Sequence, residues 1–380
     1  MTLRMIERAA VLAGFAVLWL VLIASILRPA DMRALNRAAE PRPDFALAAF
    51  GDPDYRARWT GWFTDKLVLG GAARQANVAI ERLVFSDAAG SRVVAGADGW
   101  LFLNRTSANA NLLPGTDGAR EQAAFEGAVG ALDVLSARGI DARFALAPHK
   151  PSIYPQHLPD YLQASQAAEA RNRAALMDRL VEARGAQILD VFDAMADAAG
   201  EGGLYLREDT HWSAHGAAIM AEAVIEAFAP GLWETAAIEV AEPVGYTPDL
   251  VTLQGGEAEA LRPVLDVRRP GVTAGRIPHG ADDPPWLLRT AADGPADALL
   301  GDLVIVGDSY ALELQPLLAP FFATTTIVTM EGLDSEAAAA ALAEADHALI
   351  HIVERHTLAP APLGPAGLGA RLEAALARGR

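Results

Sequence analysis

A mostly parallel α/β sheet flanked by helices, preceded by one membrane-spanning helix, is the fold this sequence predicts. Three observations carry the prediction. Apolar strand-like runs alternate with helix-length stretches from about residue 143 to 352, a pattern that buries strands between two helical layers. One such run, Leu303-Val304-Ile305-Val306, ends on Gly307-Asp308-Ser309-Tyr310. A serine therefore tops a small-residue turn, where sheets of this class present reactive groups. Near the start of the chain, Ala9 to Leu27 passes without a charge and is apolar on all sides, about the length that crosses a bilayer.

Taken in order, residues 1–8 form a short tail and 9–27 the transmembrane anchor. No small-x-small pair follows the span, since Leu22-Ile23-Ala24 and Arg28-Pro29-Ala30 each place a large residue where a peptidase requires a small one, so an uncleaved anchor is expected. Arg4 and Arg8 precede it and Arg28, Arg33, Arg37 and Arg42 follow. By count alone that does not favour an outward C-terminal domain, but long domains translocate largely regardless of flanking charge. Residues 28–54 read as a stalk, and 55–380 as one catalytic domain. Trp59, Trp62, Phe63, Leu67 and Leu69 give 55–86 a helical apolar stripe. Gly96-Ala97-Asp98-Gly99-Trp100-Leu101-Phe102 is a turn leading into a strand.

Helices are expected near 119–138 and 162–184, and strands at 143–147 and 187–191. Ser213 is a good N-cap for a helix over 214–228. Residues 240–295, rich in Pro, Gly and Asp, read as an irregular excursion. The alternation then resumes with a strand at 303–306, a helix near 311–318, a strand about 325–328, a helix at 334–345 and a strand at 348–352.

Composition removes several classes of function. The chain of 380 residues has no cysteine and a net charge of −17. Thiolate catalysis, disulfides and Cys-ligated zinc are thereby excluded. The acidic balance, with no cluster of Lys and Arg, argues against a nucleic-acid partner.

What remains is hydroxyl chemistry. Asp209-Thr210-His211-Trp212 places a carboxylate and an imidazole two residues apart, on one face if the stretch is extended. With Ser309 these make the parts of a nucleophilic site. Ser309 attacks, His211 takes its proton, and Asp209 orients the imidazole and stabilises its cation. Asp308 is expected to support the turn. Tyr310 is open between an oxyanion donor, a sugar-stacking ring and packing beneath the turn. Backbone N–H groups around Ser309 and Tyr310 are the expected oxyanion donors, with Asn104 a candidate side chain. His215, one helical turn from His211, reads as a helix-face residue, and His149 as a strand-end residue near the cleft. His347 and His351 share a face of their strand, with His356 nearby, but neither a metal nor a cofactor is expected.

The order of these segments resembles the alginate O-acetyltransferase family of the AlgJ/AlgX type, whose catalytic domain is SGNH-hydrolase-like. Gly96 to Phe102 is similar to its Gly-x-Asp-Gly-Trp-Leu-Phe segment, and Pro148-His149-Lys150 through Tyr154-Pro155 to its Pro-x-Lys…Tyr-Pro segment. Trp62-Phe63-Thr64-Asp65 and Val353-Glu354-Arg355 look like its aromatic-x-Asp and its Glu-Arg after the last strand. The resemblance implies an SGNH-like fold, Ser309 as acyl-accepting nucleophile, and Lys150, Tyr154 and Arg355 lining or supporting the substrate and oxyanion site. It also implies an exported polysaccharide as acceptor, a membrane-bound O-acyltransferase as acetyl supplier, and an inner-membrane protein with its catalytic domain in the periplasm. Pro248-Asp249-Leu250 departs from the family's Gly-Asp-Leu, and no carbohydrate-binding module is expected after the Ala-rich last helix. The alternatives are a carbohydrate esterase with the same triad and a non-catalytic polysaccharide-binding subunit.

Overall fold

The computed structural model describes Trp59 and residues 93–379, except 105–117, 202, 255, 257, 280–283, 285 and 360. The expected anchor, the stalk, the Trp62-Phe63-Thr64-Asp65 segment and the stripe over 55–86 apart from Trp59 lie outside the described residues. Among the described residues no helix is long and apolar enough to cross a membrane.

The first described elements are β1 (Val93–Ala95), β2 (Leu101–Leu103), α1 (Gly118–Ser136) and β3 (Asp141–Ala147). There follow α2 (Lys150–Ile153), α3 (Asp160–Arg184), β4 (Ile188–Leu189), α4 (Phe192–Ala198) and α5 (Ala214–Phe228). Next come β5 (Ala237–Tyr246), α6 (Asp249–Leu253), β6 (Ala260–Arg268), β7 (Thr273–Ile277) and β8 (Leu288–Asp293). The remainder is β9 (Leu300–Gly307), α7 (Gln315–Leu318), β10 (Phe322–Thr329), α8 (Glu336–Glu344), β11 (His347–Val353) and α9 (Leu368–Arg378). Two compact units share these elements. Met1–Val94 with Thr247–Glu259 forms one, and Ala95–Tyr246 with Ala260–Arg380 the other. In the first unit α6 begins behind Pro248, whose carbonyl accepts from Thr252 Oγ1 at 3.1 Å.

The second unit is built on a seven-stranded mixed sheet in the order β4-β3-β11-β9-β10-β8-β7. Strands β4, β3, β11, β9 and β10 run parallel, β8 antiparallel to β10, and β7 antiparallel to β8. The runs read as buried strands occupy the middle of the sheet, as expected of chains covered on both faces. Leu132 and Leu135 of α1, Leu176 and Leu180 of α3, Leu342 of α8 and Leu372 of α9 close over Phe144, Val306 and Ile350 on one face. Each such side chain contributes about 1.5–3 kcal/mol on leaving water. Ser213 caps α5 as expected, its Oγ accepting from the His215 and Gly216 N–H groups.

Three expectations are corrected. Residues 240–295 are not an irregular excursion. They supply most of the antiparallel β5–β6 hairpin and, in β7 and β8, the far edge of the sheet. Strands open to solvent carry no continuous apolar run, so the period was hidden; β5 is exposed along almost its whole length, Val240 at 69%. The strand expected at 187–191 stops at Leu189, because Asp190 Oδ1 accepts from Phe192 N–H at 3.0 Å and starts α4. The helix expected over 311–318 is a 3₁₀ segment, Ser309–Glu313, followed by the four-residue α7 with Pro316 near its start.

His351 lies in the middle of the second face. Its ring is fully buried, 5.5 Å from that of Trp212, and neither ring nitrogen has a hydrogen-bond partner. The same alternation sets His347 against Phe228, ring centroids 4.8 Å apart, so both histidines share the α5 face. Burial pushes the pKa of His351 down from 6.5 to about 4 against the pull of Asp308. Below pH 6.5 the unfolded chain takes up a proton that the folded chain refuses until about pH 4. Stability therefore falls as pH drops through that window, by roughly 3 kcal/mol in all. Urea unfolding of His351→Leu between pH 7 and pH 4 is expected to show an acid loss smaller by about that amount than the wild-type loss.

Candidate active site

The nucleophile turn is shaped by what surrounds Gly307. This residue ends β9 opposite His351, and a Cβ there would meet the His351 carbonyl oxygen at 2.9 Å and the Ala311 Cβ at 3.1 Å. Only glycine lets the strand pass and turn. Asp308 then caps the 3₁₀ segment. Its Oδ1 accepts from Tyr310 N–H at 3.1 Å, and its Oδ2 from Val353 N–H at 2.7 Å, with His356 Nδ1 at 3.2 Å. Burial alone would raise the Asp308 pKa, but the hydrogen bond and charge of His356 reverse this and hold the carboxyl well below the usual range. Asp308 is thus a fixed anion joining the ends of β9 and β11, the supporting role expected of it. Ser309 stands exposed above it.

The opposing loop is not extended. Tyr205 and Trp212 form an isolated antiparallel bridge, and the residues between them fold as turns and bends. Asp209 and His211 share a side for a different reason than strand alternation: Asp209 Oδ1 accepts from the His211 backbone N–H at 2.9 Å, an Asx-type turn. The same oxygen lies 2.7 Å from His211 Nδ1, and His211 Nε2 lies 2.8 Å from Ser309 Oγ. That network assigns the proton to Nδ1 and leaves the Nε2 lone pair facing the serine hydroxyl. The Asp209 side chain is 7% exposed and that of His211 21%. The carboxylate is shielded while the imidazole reaches solvent.

Lys150, Tyr154 and Arg355, expected to line or support the site, and Tyr310, left open between oxyanion donor, stacking ring and packing, lie beneath or beside it. Lys150 is 2% exposed. Its Nζ donates to the carbonyls of Leu206 at 3.0 Å, Arg207 at 3.0 Å and Asp209 at 2.5 Å, one per ammonium proton. The Tyr154 hydroxyl accepts from Leu204 N–H at 3.2 Å. Tyr310 is fully buried, so its ring is closed to sugar stacking; its hydroxyl donates to the Thr210 carbonyl and accepts from Arg355 Nη1 at 3.1 Å. Of the two backbone groups expected to bind an oxyanion, the Tyr310 N–H is taken by Asp308. Asn104, which follows β2, is buried.

Further supports went unread in the sequence. Trp212, adjacent to the motif, donates from Nε1 to the Tyr310 carbonyl at 3.2 Å and links the two halves of the site. The Tyr205 hydroxyl donates to the Pro148 carbonyl at 2.5 Å. Burial raises the Glu354 pKa, with Arg173 opposing, and the Glu354 carboxyl accepts from His149 N–H at 3.2 Å, Ser152 Oγ at 2.6 Å and Arg173 Nη1 at 3.3 Å. His149 is therefore a buried brace behind Lys150. Gly216 in the first turn of α5 sits so close to the loop that a Cβ would meet the Leu204 carbonyl oxygen at 2.4 Å. His215 is exposed on the helix surface, as its spacing implied.

Residues 93–277 match the family model described as the SGNH hydrolase-like domain of acetyltransferase AlgX. The matched segment includes Asp209 and His211 and ends before Ser309. A curated relative, the probable alginate O-acetylase AlgJ of Pseudomonas aeruginosa, is 28% identical over 237 residues, 58% of this chain and 55% of that protein. The chain thus spans about half the length of that relative. Similar solved structures are the O-acetyltransferase domain of Pseudomonas putida AlgJ (20% identity, 73% of this chain and 98% of that one, TM-score 0.45) and Pseudomonas aeruginosa AlgX (17%, 73% and 66%, TM-score 0.48). Over residues 93–277, the chain is similar to the SGNH hydrolase-like acetyltransferase domains of the AlgJ/AlgX type.

Proposed function

We propose that this chain is a polysaccharide O-acetyltransferase working through an acetyl-Ser309 intermediate. The observation that carries the proposal is the unbroken line from Asp209 Oδ1 through His211 to Ser309 Oγ, with contacts of 2.7 and 2.8 Å. In the first half-reaction Ser309 Oγ attacks the acetyl carbonyl as its proton passes to His211 Nε2. The tetrahedral intermediate collapses when His211 returns that proton to the departing oxygen. In the second, His211 deprotonates an acceptor sugar hydroxyl, which attacks the acyl-enzyme and regenerates Ser309. Asp209 stabilises the imidazolium of both halves. With the Tyr310 N–H engaged, the Ser309 N–H is the backbone donor left for the oxyanion.

The family supports acetyl transfer onto a polysaccharide, while polymer, donor and compartment belong to this proposal. The uncharged run of residues 9–27 supports an anchor holding the domain on the outer side of the inner membrane. Soluble acetyl-CoA is not expected there, so a membrane-bound O-acyltransferase would supply acetyl.

Three outcomes are expected. Given an activated acetyl ester, the protein should release the leaving group in a burst, and an acceptor oligosaccharide should divert acetyl from water onto sugar in proportion to its concentration. Ser309→Ala should abolish both, and His211→Ala should lower the rate by roughly 10⁴-fold or more; hydrolysis alone with every acceptor would identify an esterase. Lys150→Met should leave three loop carbonyls without their donor and lower unfolding free energy by about 2–4 kcal/mol, with a fall in burst rate that Lys150→Arg does not fully restore. A phosphatase fused after residue 60 should be active and a cytoplasmic reporter at that point silent, and the reverse pattern would refute the outward domain.

A further inference from the structure

Behind the loop that carries Asp209 and His211 lies a cleft of about 550 Å³ that the chemistry above does not use. Its volume is in the range of small-molecule sites, about 300–1,000 Å³. Tyr246, Leu261 and Pro263 of the β5–β6 hairpin form one wall, and Leu261 is 71% exposed there. Arg207 and Glu208 of the loop, Asp98 of the turn before β2 and His215 at the start of α5 also line it. The two sides of this polar rim are tied together: Leu101 N–H donates to the Arg207 carbonyl at 2.9 Å. Asp98 is held at φ 55 beside Gly99 at φ 77, its carboxylate 3.2 Å from His157 Nδ1. This is the placement the Gly96–Phe102 segment secures, its Trp100 stacked 4.7 Å from His157 and tilted against Tyr154 at 4.5 Å.

A lining that combines apolar side chains with carboxylate, imidazole and guanidinium groups suits a pyranose ring. Its C–H face packs on Leu261 and Pro263, and its hydroxyls reach the charged groups, which bind hydroxyls more strongly than neutral partners do. The rim sets one cation, Arg207, against two carboxylates, Asp98 and Glu208. In a chain of net charge −17 that balance repels polyanions. Glu208 directly precedes Asp209, so a chain lying in the cleft approaches the loop that bears His211.

We propose that this cleft binds uncharged pyranose units of the acceptor polysaccharide, next to the unit that receives acetyl, and discriminates against polyuronates. The proposal rests on the transferase reading, and the experiment separates the two. The full chain is titrated with β-1,4-glucan and β-1,4-mannan pentasaccharides and with a mannuronate pentamer by calorimetry, and the neutral pentamers are then used as acceptors. At least one neutral pentamer should bind saturably, and more tightly than the mannuronate. Leu261→Ala, a change at an exposed position that leaves the core untouched, should raise the acceptor KM about tenfold with little change in kcat. Glu208→Gln should narrow the preference for the neutral chain. Absence of saturable neutral binding, a mannuronate that binds more tightly, or a Leu261→Ala protein with wild-type acceptor KM would each overturn the cleft assignment. A wild-type protein with no Ser309-dependent burst would overturn the transferase reading instead, and the calorimetric titration then decides the cleft by itself.

Discussion

One ammonium group holds the arrangement on which the site depends. The loop between Tyr205 and Trp212 contains almost no regular pairing, yet it must place an imidazole within 2.8 Å of a hydroxyl in the turn beyond β9. Lys150 solves this by directing its three protons at the carbonyls of Leu206, Arg207 and Asp209 from below. A cation with three fixed acceptors is a stiff support in low dielectric, because every displacement lengthens a charge-assisted hydrogen bond. Its own position is set in turn by Glu354, which grips the neighbouring His149 N–H and Ser152 hydroxyl. The route from the end of β11 to the imidazole is therefore a series of short polar contacts rather than loop stiffness.

A second route runs through the aromatic residues. Tyr310 follows Ser309, but its hydroxyl reaches back to the Thr210 carbonyl while Trp212 Nε1 reaches forward to the Tyr310 carbonyl. The Ser309 turn and the His211 loop are thus laced on both sides of the Asp209–His211–Ser309 contacts, and Arg355, just past the last strand, closes the lacing. Preorganisation of this kind matters because an acyl transfer meets its developing charge with dipoles already in place.

The parts legible in the sequence were those with a local cause. The apolar run before Gly307 and the cap at Ser213 gave β9 and α5 their places, and the two motifs pointed to the three residues that the structure brings into contact, Asp209, His211 and Ser309. What sequence could not give was the direction in which long side chains point. Lys150, Tyr154, Tyr310 and Arg355 were identified as belonging to the site, but a lysine that lines a cleft and one buried beneath a loop have the same local sequence. Likewise Asp209 and His211 face together through an i to i+2 hydrogen bond, not through strand alternation, and two-residue spacing fits either geometry. Strands β5 and β7 escaped notice because they meet solvent along most of their length, which removes the apolar signature.

The exposed hairpin also bears on how the protein behaves in a crowded solution. Strand β5 offers Ile238 and Val240 to water and, among the described residues, pairs with β6 alone, so its other side presents backbone donors and acceptors, the arrangement that invites pairing with a neighbouring chain. Glu239 and Glu242 put negative charge along that run, Pro243 removes a donor, and the irregular register between Ala241 and Val244 twists the strand away from a flat template. Resistance to edge-to-edge aggregation is built into this strand by charge, proline and bulge.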